Sequence, residues 1–98
     1  MAFAVRTVNY QRNKMLNMCD SSLVGRVLTE GDLTMNITPS YFAERIVDET
    51  EAEQLLRSSS IINMVGEETI ALSVKIGVGS PKGVKKISGI PFLLVFKF

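Results

Sequence analysis

Histidine is absent from the chain, and cysteine occurs once, at Cys19. A structural zinc site of the Cys/His type needs four such ligands, so it cannot be built within one chain. Cys–His and Ser–His catalytic pairs are excluded as well, because both require an imidazole. A single cysteine also excludes an internal disulfide, which fits a reducing cytoplasm. We therefore expect a cytoplasmic protein that needs no metal or cofactor and is not an enzyme.

Long hydrophobic runs are also missing. No apolar run approaches the roughly 20 residues that a membrane-spanning helix needs. Residues 1–6 lack the basic segment and apolar core of a signal peptide. Hydrophobic residues make up 46% and charged residues 21% of the chain, which is typical of a folded globular protein rather than a disordered one. At 98 residues, a single domain over 1–98 is expected.

The net charge of +1 is small, but the charges are unevenly distributed. Residues 1–19 and 69–98 contain only basic charged side chains, whereas all ten carboxylates lie in residues 20–68. If the two ends meet in space, one surface of the protein is positive. The alternative is that these basic side chains are scattered and only solvate the surface.

The first half of the chain has the alternating pattern of strands. Residues 2–10 and 15–19 alternate around a polar turn at 11–14, which predicts a β-hairpin over 2–19. Asp20-Ser21-Ser22 ends this hairpin and offers a cap for a short turn or helix into Leu23. A strand is predicted over 33–37, after the turn at 30–32. Thr38 followed by Pro39 suits one helical turn, and residues 45–47 suit a brief strand.

Residues 48–59 form the clearest helix. Asp48 or Thr50 can cap its amino terminus, and the spacing of Thr50 and Glu53 fits a capping box. Carboxylates crowd the first turns, where they match the positive end of the helix dipole. We interpret them as a solvated face rather than as catalytic or metal-binding groups.

Residues 61–65 are predicted to form a buried strand that turns at Gly66, and residues 69–76 then fit two patterns. Their apolar side chains alternate as in a strand. Glu67 and Glu68, however, suit the first turn of a helix, and Gly77 followed by Val78 suits its end. Short strands are expected at 84–87 and 92–98, on either side of a turn at Ser88-Gly89.

A series of short motifs spans most of residues 14–91. In chain order they are Cys19-Asp20, Leu23-Val24-Gly25, Glu30-Gly31, Tyr41-Phe42, Asn63-Met64-Val65-Gly66-Glu67, Gly77, Val84, Ile87 and Gly89-Ile90-Pro91. Their order and spacing resemble the archaeal family called domain of unknown function 424. The most specific parts are Asn-x-Val-Gly-Glu and the closing Gly-Ile-Pro. In relatives the segment after Gly-Glu is strongly helix-forming, which favours a helix over 66–76.

The family is described as predicted RNA-binding, so the resemblance implies RNA binding. The chain differs from the resemblance at its end. Relatives tend to read Gly-Val-Pro-His and stop soon afterwards, whereas here Phe92 takes the place of the histidine and residues 93–98 follow. This tail is apolar and must be buried somewhere.

Asn63, Gly66 and Glu67 form a motif with two interpretations. A buried amide is costly unless it is paired, so we predict that Asn63 bonds to local backbone and holds the turn at Gly66. Alternatively, Asn63 contacts a ligand from the end of its strand. The amides after Gly66 form a helix amino terminus that can receive a phosphate, but Glu67 and Glu68 argue against an anion there.

The basic loop from Gly79 to Lys86 lacks the Gly-Lys-Ser/Thr ending of a phosphate-binding P-loop. It suits contact with an RNA backbone, because phosphate contacts dominate such affinity. The side chains predicted to contact nucleic acid are Arg12, Lys14, Lys82, Lys85 and Lys86. No aromatic stripe for base stacking is visible, so we expect backbone-directed binding.

Cys19 is interpreted as a small buried hydrophobe, because the neighbouring Asp20 disfavours a reactive thiolate. Only a carboxylate-based hydrolytic site is conceivable for an enzyme, among Asp20, Glu30 and Glu67, and their spacing does not support one.

We expect an α+β fold in which a small mixed or mainly antiparallel sheet carries two packed helices, at 48–59 and 66–76. The favoured function is an RNA- or ribosome-associated binding module. The alternative is a protein-interaction or homodimerisation module that uses the tail Phe92–Phe98, because an exposed apolar edge strand invites pairing.

Overall fold

The structure is a computed structural model that describes residues 2–98. The described residues form eight strands and three α-helices. In chain order these are β1 (Phe3–Tyr10), β2 (Asn13–Asp20), β3 (Val27–Glu30), β4 (Leu33–Asn36), α1 (Pro39–Phe42), β5 (Arg45–Val47), α2 (Glu49–Ser58), β6 (Ile61–Val65), α3 (Glu67–Lys75), β7 (Lys85–Ile87) and β8 (Ile90–Phe96). Single turns of 3-10 helix lie at Ser21–Leu23 and Pro81–Gly83.

Six strands form one mixed sheet in the order β5-β1-β2-β6-β8-β7, and β3 pairs with β4 in a small second sheet. Strands β2 and β6 are parallel, while the other neighbours are antiparallel. The parallel pair arises because the chain crosses from β2 to β6 through α2. The predicted α+β class with a mixed sheet is therefore confirmed.

The β1–β2 hairpin is confirmed, but its turn is tighter than predicted. Gln11 and Arg12 alone form the turn, with φ values of 47° and 71°. Two left-handed residues match the twist of the flanking strands, which extends pairing to Tyr10 and Asn13. Asn13 and Lys14, predicted to lie in the turn, therefore belong to β2. The sequence lacks the Asn-Gly or Asp-Gly pair that usually signals such a turn.

Helices α2 and α3 cover one face of the six-stranded sheet, as predicted. Asp48 caps α2 by accepting a hydrogen bond from the Glu51 amide at 2.9 Å, so Asp48 rather than Thr50 is the cap. The core beneath the helices contains inward side chains of the strands together with apolar positions of both helices. Its buried members are Phe3, Val5, Leu16, Met18, Val47, Ala52, Leu55, Leu56, Ile62, Met64, Ile70, Leu72 and Leu93.

Residues 67–75 are helical, which decides between the two patterns of that segment. The helix ends at Gly77, which has a φ of 80°. The Val78 amide donates to the Ser73 carbonyl at 2.9 Å, the bond expected when a left-handed glycine ends a helix. The alternation that suggested a strand is overridden because Thr69, Ile70, Leu72 and Ser73 are all buried.

The opposite face of the sheet is covered only in part. The β3–β4 hairpin and α1 pack over one end of it, where Ala4, Cys19 and Val65 meet Leu28 and Phe42. The rest of this face lies uncovered on β1, β2, β6 and β8, and we call it the open face. By strand alternation its side chains are Arg6, Val8, Tyr10, Asn13, Met15, Ile61, Asn63, Leu94 and Phe96. Asn17 has the same orientation but is buried beneath α1.

The carboxy-terminal tail supplies most of strand β8, but the prediction that this tail is buried is only partly correct. Leu93 is buried in the core, whereas Leu94, Phe96 and Phe98 are exposed. Strand β7 pairs with β8 only as far as Phe92, and the outer edge of β8 beyond that residue has no neighbouring strand among residues 2–98. None of the helices formed by these residues has the length and apolar character needed to cross a membrane.

Candidate functional site

The Asn63–Glu67 motif meets the Cys19–Asp20 motif at the amino terminus of α3. The Asp20 carboxylate accepts hydrogen bonds from the Glu68 amide at 3.1 Å, the Thr69 amide at 2.8 Å and the Thr69 hydroxyl at 2.8 Å. Asp20 is only 8% exposed. Asp20 therefore caps α3 from a distant strand, since Gly66 offers no side-chain cap. It also places a negative charge at the positive end of the helix dipole.

Gly66 permits this contact because it has no side chain. Its φ is 114°, and a Cβ at this position would overlap the Asp20 carboxyl group. The Gly66 amide donates to the Pro91 carbonyl at 2.9 Å. The two most specific motifs of the sequence, around Gly66 and at residues 89–91, thus lock together beside Asp20.

Two sequence predictions about this junction are wrong. Asn63 was predicted to bond to local backbone, yet its half-buried side chain makes no hydrogen bond within the described chain. Asp20 does not cap the Ser21–Leu23 turn. The amides after Gly66, which Glu67 and Glu68 made an unfavourable phosphate site, are occupied by the Asp20 carboxylate, so the helix terminus is already neutralised from inside the protein.

Cys19 lies next to this junction and is fully buried. Burial, reinforced by the nearby Asp20 charge, raises the pKa of the Cys19 thiol to about 12. The thiol is therefore protonated at neutral pH and inaccessible to reagents, which supports the interpretation of Cys19 as a packing residue.

The raised pKa of Cys19 predicts a loss of stability in alkali. The folded-state pKa of about 12 exceeds the ordinary thiol value of 9.0, so unfolding releases a proton between these pH values and becomes more favourable as pH rises. We expect the free energy of unfolding to fall by about 1.4 kcal/mol between pH 8 and pH 10 from this group. Urea titrations of wild type and Cys19→Ala at both pH values measure it. An equal loss in both proteins would contradict the assignment.

The three carboxylates considered for a hydrolytic site do not come together. Asp20 is committed to α3, while the Glu30 carboxylate accepts the Ser88 amide at 2.9 Å on the other side of the sheet. Glu67 is exposed at the start of α3. Within residues 2–98, no group of three or more His, Cys, Asp or Glu side chains is placed to hold a metal ion.

The predicted nucleic-acid-binding residues fall into two groups. Lys82, Lys85 and Lys86 are exposed along the β7 edge of the sheet, whereas Arg12 and Lys14 lie at the β1–β2 turn. By register, Lys85 is level with Cys19 but three strands away. Lys14 is five residues below Cys19 on β2, so the two groups are roughly 22 Å apart at ~3.3 Å per residue and ~4.8 Å per strand.

The basic side chains differ in how they are engaged. Arg45 pairs with Glu51 and Arg57 with Glu53, and these are the ion pairs of residues 2–98. Lys97 donates to the carbonyls of Leu56 at 2.6 Å and Arg57 at 3.1 Å at the end of α2. Its partial burial and the Arg57 charge lower the pKa of Lys97.

The lysines of the β7 edge make no such contacts. Lys82, Lys85 and Lys86 take part in neither ion pair, and Lys75 at the end of α3 is also exposed and unpaired within the described chain. We call these four lysines the basic edge. Lys75 was missed from the sequence because only the packing of α3 brings it beside β7.

A groove of about 650 Å³ runs between α3 and the β7 side of the sheet. Its walls are mainly apolar, and Lys75 and Lys86 lie among its lining residues together with Glu67. The groove gives the basic edge a concave surface with cations on both sides. Such a shape can hold part of an anionic polymer while its charges meet the lysines.

A protein-family model described as "Protein of unknown function (DUF424)" matches residues 8–98. This chain belongs to the DUF424 family. The DUF424 match continues through the tail 92–98, the segment that differed from the motif resemblance. No curated protein matches the sequence.

This DUF424 chain is similar to the crystal structure of an uncharacterized conserved protein from Methanopyrus kandleri. The TM-score is 0.85, and the alignment covers 100% of this chain and 93% of the other. The sequences are 16% identical, so the likeness shows a shared fold. It says nothing about a shared ligand.

Proposed function

We propose that this DUF424 protein is a cytoplasmic RNA- or ribosome-associated binding module that contacts the phosphate backbone through its basic edge. The observation that carries the proposal is that Lys75 and Lys86 line one groove, that Lys82 and Lys85 are exposed on the adjoining chain, and that none of the four is ion-paired to a carboxylate within residues 2–98. Free lysines on an edge strand are available to a polyanion, and each phosphate they neutralise releases a counterion.

The β1–β2 turn supplies a second contact point. Arg12 is exposed there, and Lys14 lies beside α2 with its amino group 3.4 Å from the Ser58 hydroxyl. A separation of roughly 22 Å between the groups corresponds to about six phosphates along one strand of a duplex at ~3.4 Å each. An RNA segment of that length would reach both groups at once.

The test is replacement of three lysines of the edge. The variant Lys82→Gln, Lys85→Gln, Lys86→Gln removes three positive charges at exposed positions, so folding should be unaffected. We expect weaker binding to bulk cellular RNA at low salt and a reduction of about 2–3 in the salt-dependence slope. Reversal of the same three lysines to Glu should abolish binding.

The matched control lowers the net charge by the same amount elsewhere. Ser22→Glu, Thr50→Glu, Gln54→Glu changes three exposed residues that do not line the groove. It should keep nearly all of the affinity if the edge is the binding surface. Equal losses in the two triple variants would mean that net charge alone matters, and the assignment of the basic edge would be wrong.

A second candidate function is homodimerisation through the tail. The outer edge of β8 beyond Phe92 is unpaired, and Leu94, Phe96 and Phe98 are 53%, 59% and 78% exposed. An open apolar edge can accept a strand from a second copy. Sedimentation across a concentration series tests this with wild type and Leu94→Lys. Truncation before Leu93 is unsuitable, because Leu93 belongs to the core.

A further inference from the structure

The open face carries exposed aromatic rings from opposite ends of the sequence. Tyr10 at the end of β1 is 58% exposed, and Phe96 on β8 is 59% exposed. Phe98 adjoins Phe96, with ring centroids 6.3 Å apart. The sheet therefore assembles an aromatic surface from residues that are distant in sequence. The absence of an aromatic stripe in the sequence does not exclude base stacking on this surface.

Two rows of side chains cross the open face from β1 to β8. By register, one row is Arg6, Asn17, Asn63 and Leu94, and the next is Val8, Met15, Ile61 and Phe96. Tyr10 lies two residues further along β1. It is roughly 16 Å from Phe96 by three strand spacings and two residues of rise. The surface is wide enough for several successive flat groups.

The charge on this surface is positive. Arg6 is the ionisable side chain of the two rows, and neither row contains a carboxylate. Arg6 takes part in neither ion pair of residues 2–98. Continuing the β1–β5 register places Glu44 opposite Arg6 at the end of the first row, although the two form no ion pair within residues 2–98. A cation within an apolar and aromatic surface suits a ligand that combines flat apolar units with negative charge.

Two amides at the centre of the face have unused hydrogen-bonding capacity. Asn17 is 1% exposed, and its amide nitrogen donates to the Tyr41 carbonyl at 3.1 Å, while its Oδ1 has no partner. Asn63 is opposite Asn17 in the register and makes no hydrogen bond within the described chain. Buried polar groups are normally paired, and asparagine amides match the hydrogen-bonding edges of bases.

We infer that the open face binds unpaired bases of a single-stranded nucleic acid, with stacking on Tyr10, Phe96 and Phe98 and a phosphate at Arg6. This site is separate from the basic edge and goes beyond the proposed function. Stacking on aromatic rings tolerates any base, and the half-buried Asn63 adds a contact to base edges. A protein partner would also favour apolar contacts, but exposed aromatic rings beside Arg6 and an unpaired amide suit bases and phosphate better.

Phe96 is the residue to test, because it is exposed. Replacing it with leucine removes the aromatic ring but keeps an apolar side chain, which distinguishes base stacking from general hydrophobic contact. Short single strands of RNA and DNA that contain 2-aminopurine report both affinity and stacking. Phe96→Ala and Phe96→Leu should each weaken binding by about 5- to 150-fold, as expected for one stacked base. Phe96→Tyr should keep the affinity and the fluorescence quenching. The RNA and DNA arms decide which strand is preferred.

Leu33→Ala is the matched control, since Leu33 is 60% exposed but belongs to β4 of the second sheet rather than to the open face. It should leave binding unchanged. The same sequence as a duplex should lose its dependence on Phe96, because paired bases cannot stack on the protein. The inference is overturned if Phe96→Leu binds like wild type. It is also overturned if the Phe96 variants change only the sedimentation of the protein, since the face then contacts a second copy.

The hypotheses for the open face and for the basic edge can be tested separately. Loss of binding in the Phe96 variants with full binding in the lysine-to-glutamine variant would support the open face and remove the basic edge. The reverse pattern would support the basic edge and overturn the stacking site.

Discussion

Gly66→Ala should lower the free energy of unfolding by about 3–5 kcal/mol, from backbone strain and overpacking. Gly66 has a φ of 114°, a region that alanine avoids, and its added Cβ would overlap the buried Asp20 carboxyl group. Neither side can easily retreat, because Asp20 is held by α3 and Gly66 by Pro91. For a domain of this size the midpoint of thermal unfolding should fall by about 15–30 °C.

Gly25→Ala separates the two causes. Gly25 also has a positive φ, 91°, but an added Cβ there has no atom within 4 Å. Its cost should therefore be only the backbone strain, about 1–2 kcal/mol. If Gly66→Ala were no more destabilising than Gly25→Ala, the close approach of Gly66 and Asp20 would not be a rigid feature of the fold.

Asp20→Asn should be the other strongly destabilising change, by about 2–4 kcal/mol. The carboxylate accepts three hydrogen bonds from α3, two on Oδ1 and one on Oδ2. An amide keeps only one acceptor atom, so one buried donor of Glu68 or Thr69 would face an NH₂ group. Leaving a buried donor unpaired costs about 1–3 kcal/mol, and loss of a helix cap adds about 1 kcal/mol. Urea unfolding measures the change.

Asp48→Asn is the matched control for this prediction. Asp48 caps α2 through a single bond to the Glu51 amide, and it is exposed. Asparagine is as good a cap as aspartate at an exposed position, so the change should cost well under ~1 kcal/mol. Equal effects at the two positions would show that Asp20 acts as an ordinary surface cap rather than as the buried link between β2 and α3.

The elements that sequence patterns predicted well are those with a strong local signal. The β1–β2 hairpin follows from alternation, α2 from its cap and carboxylates, and the end of α3 from Gly77. The helix over 67–75 needed the family resemblance, because alternation of its apolar residues favoured a strand. Packing decided it, since buried helical positions outweigh a two-residue period.

Features that depend on distant residues were not predictable. Asp20 and Thr69 are 49 positions apart and meet only because β2 and β6 pair in parallel. Asn17 is the buried amide of the sheet. The sequence pattern instead pointed to Asn63 as the buried amide. The aromatic surface arises because register places Phe96 in one row with Met15 and on the same face as Tyr10, residues that lie at the other end of the chain.

The predicted nucleic-acid-binding residues also depend on contacts between distant parts of the chain. The lysines of residues 82–86 lie together because they are adjacent in sequence, whereas Lys75 joins them only through the fold. Arg12 and Lys14 were grouped with them by charge alone, and the structure separates them by the width of the sheet. Charge composition thus identified the kind of side chain but not the surface.

The most direct test of the account is binding of the wild-type protein to bulk cellular RNA across a salt series. If three to five cations contact phosphates, affinity should fall steadily with salt, with a logarithmic slope between about −2 and −4.5. That result would support a phosphate-binding surface and fix the number of charges engaged. Absence of binding at low salt would contradict the proposed RNA function and make self-association through β8 the leading hypothesis.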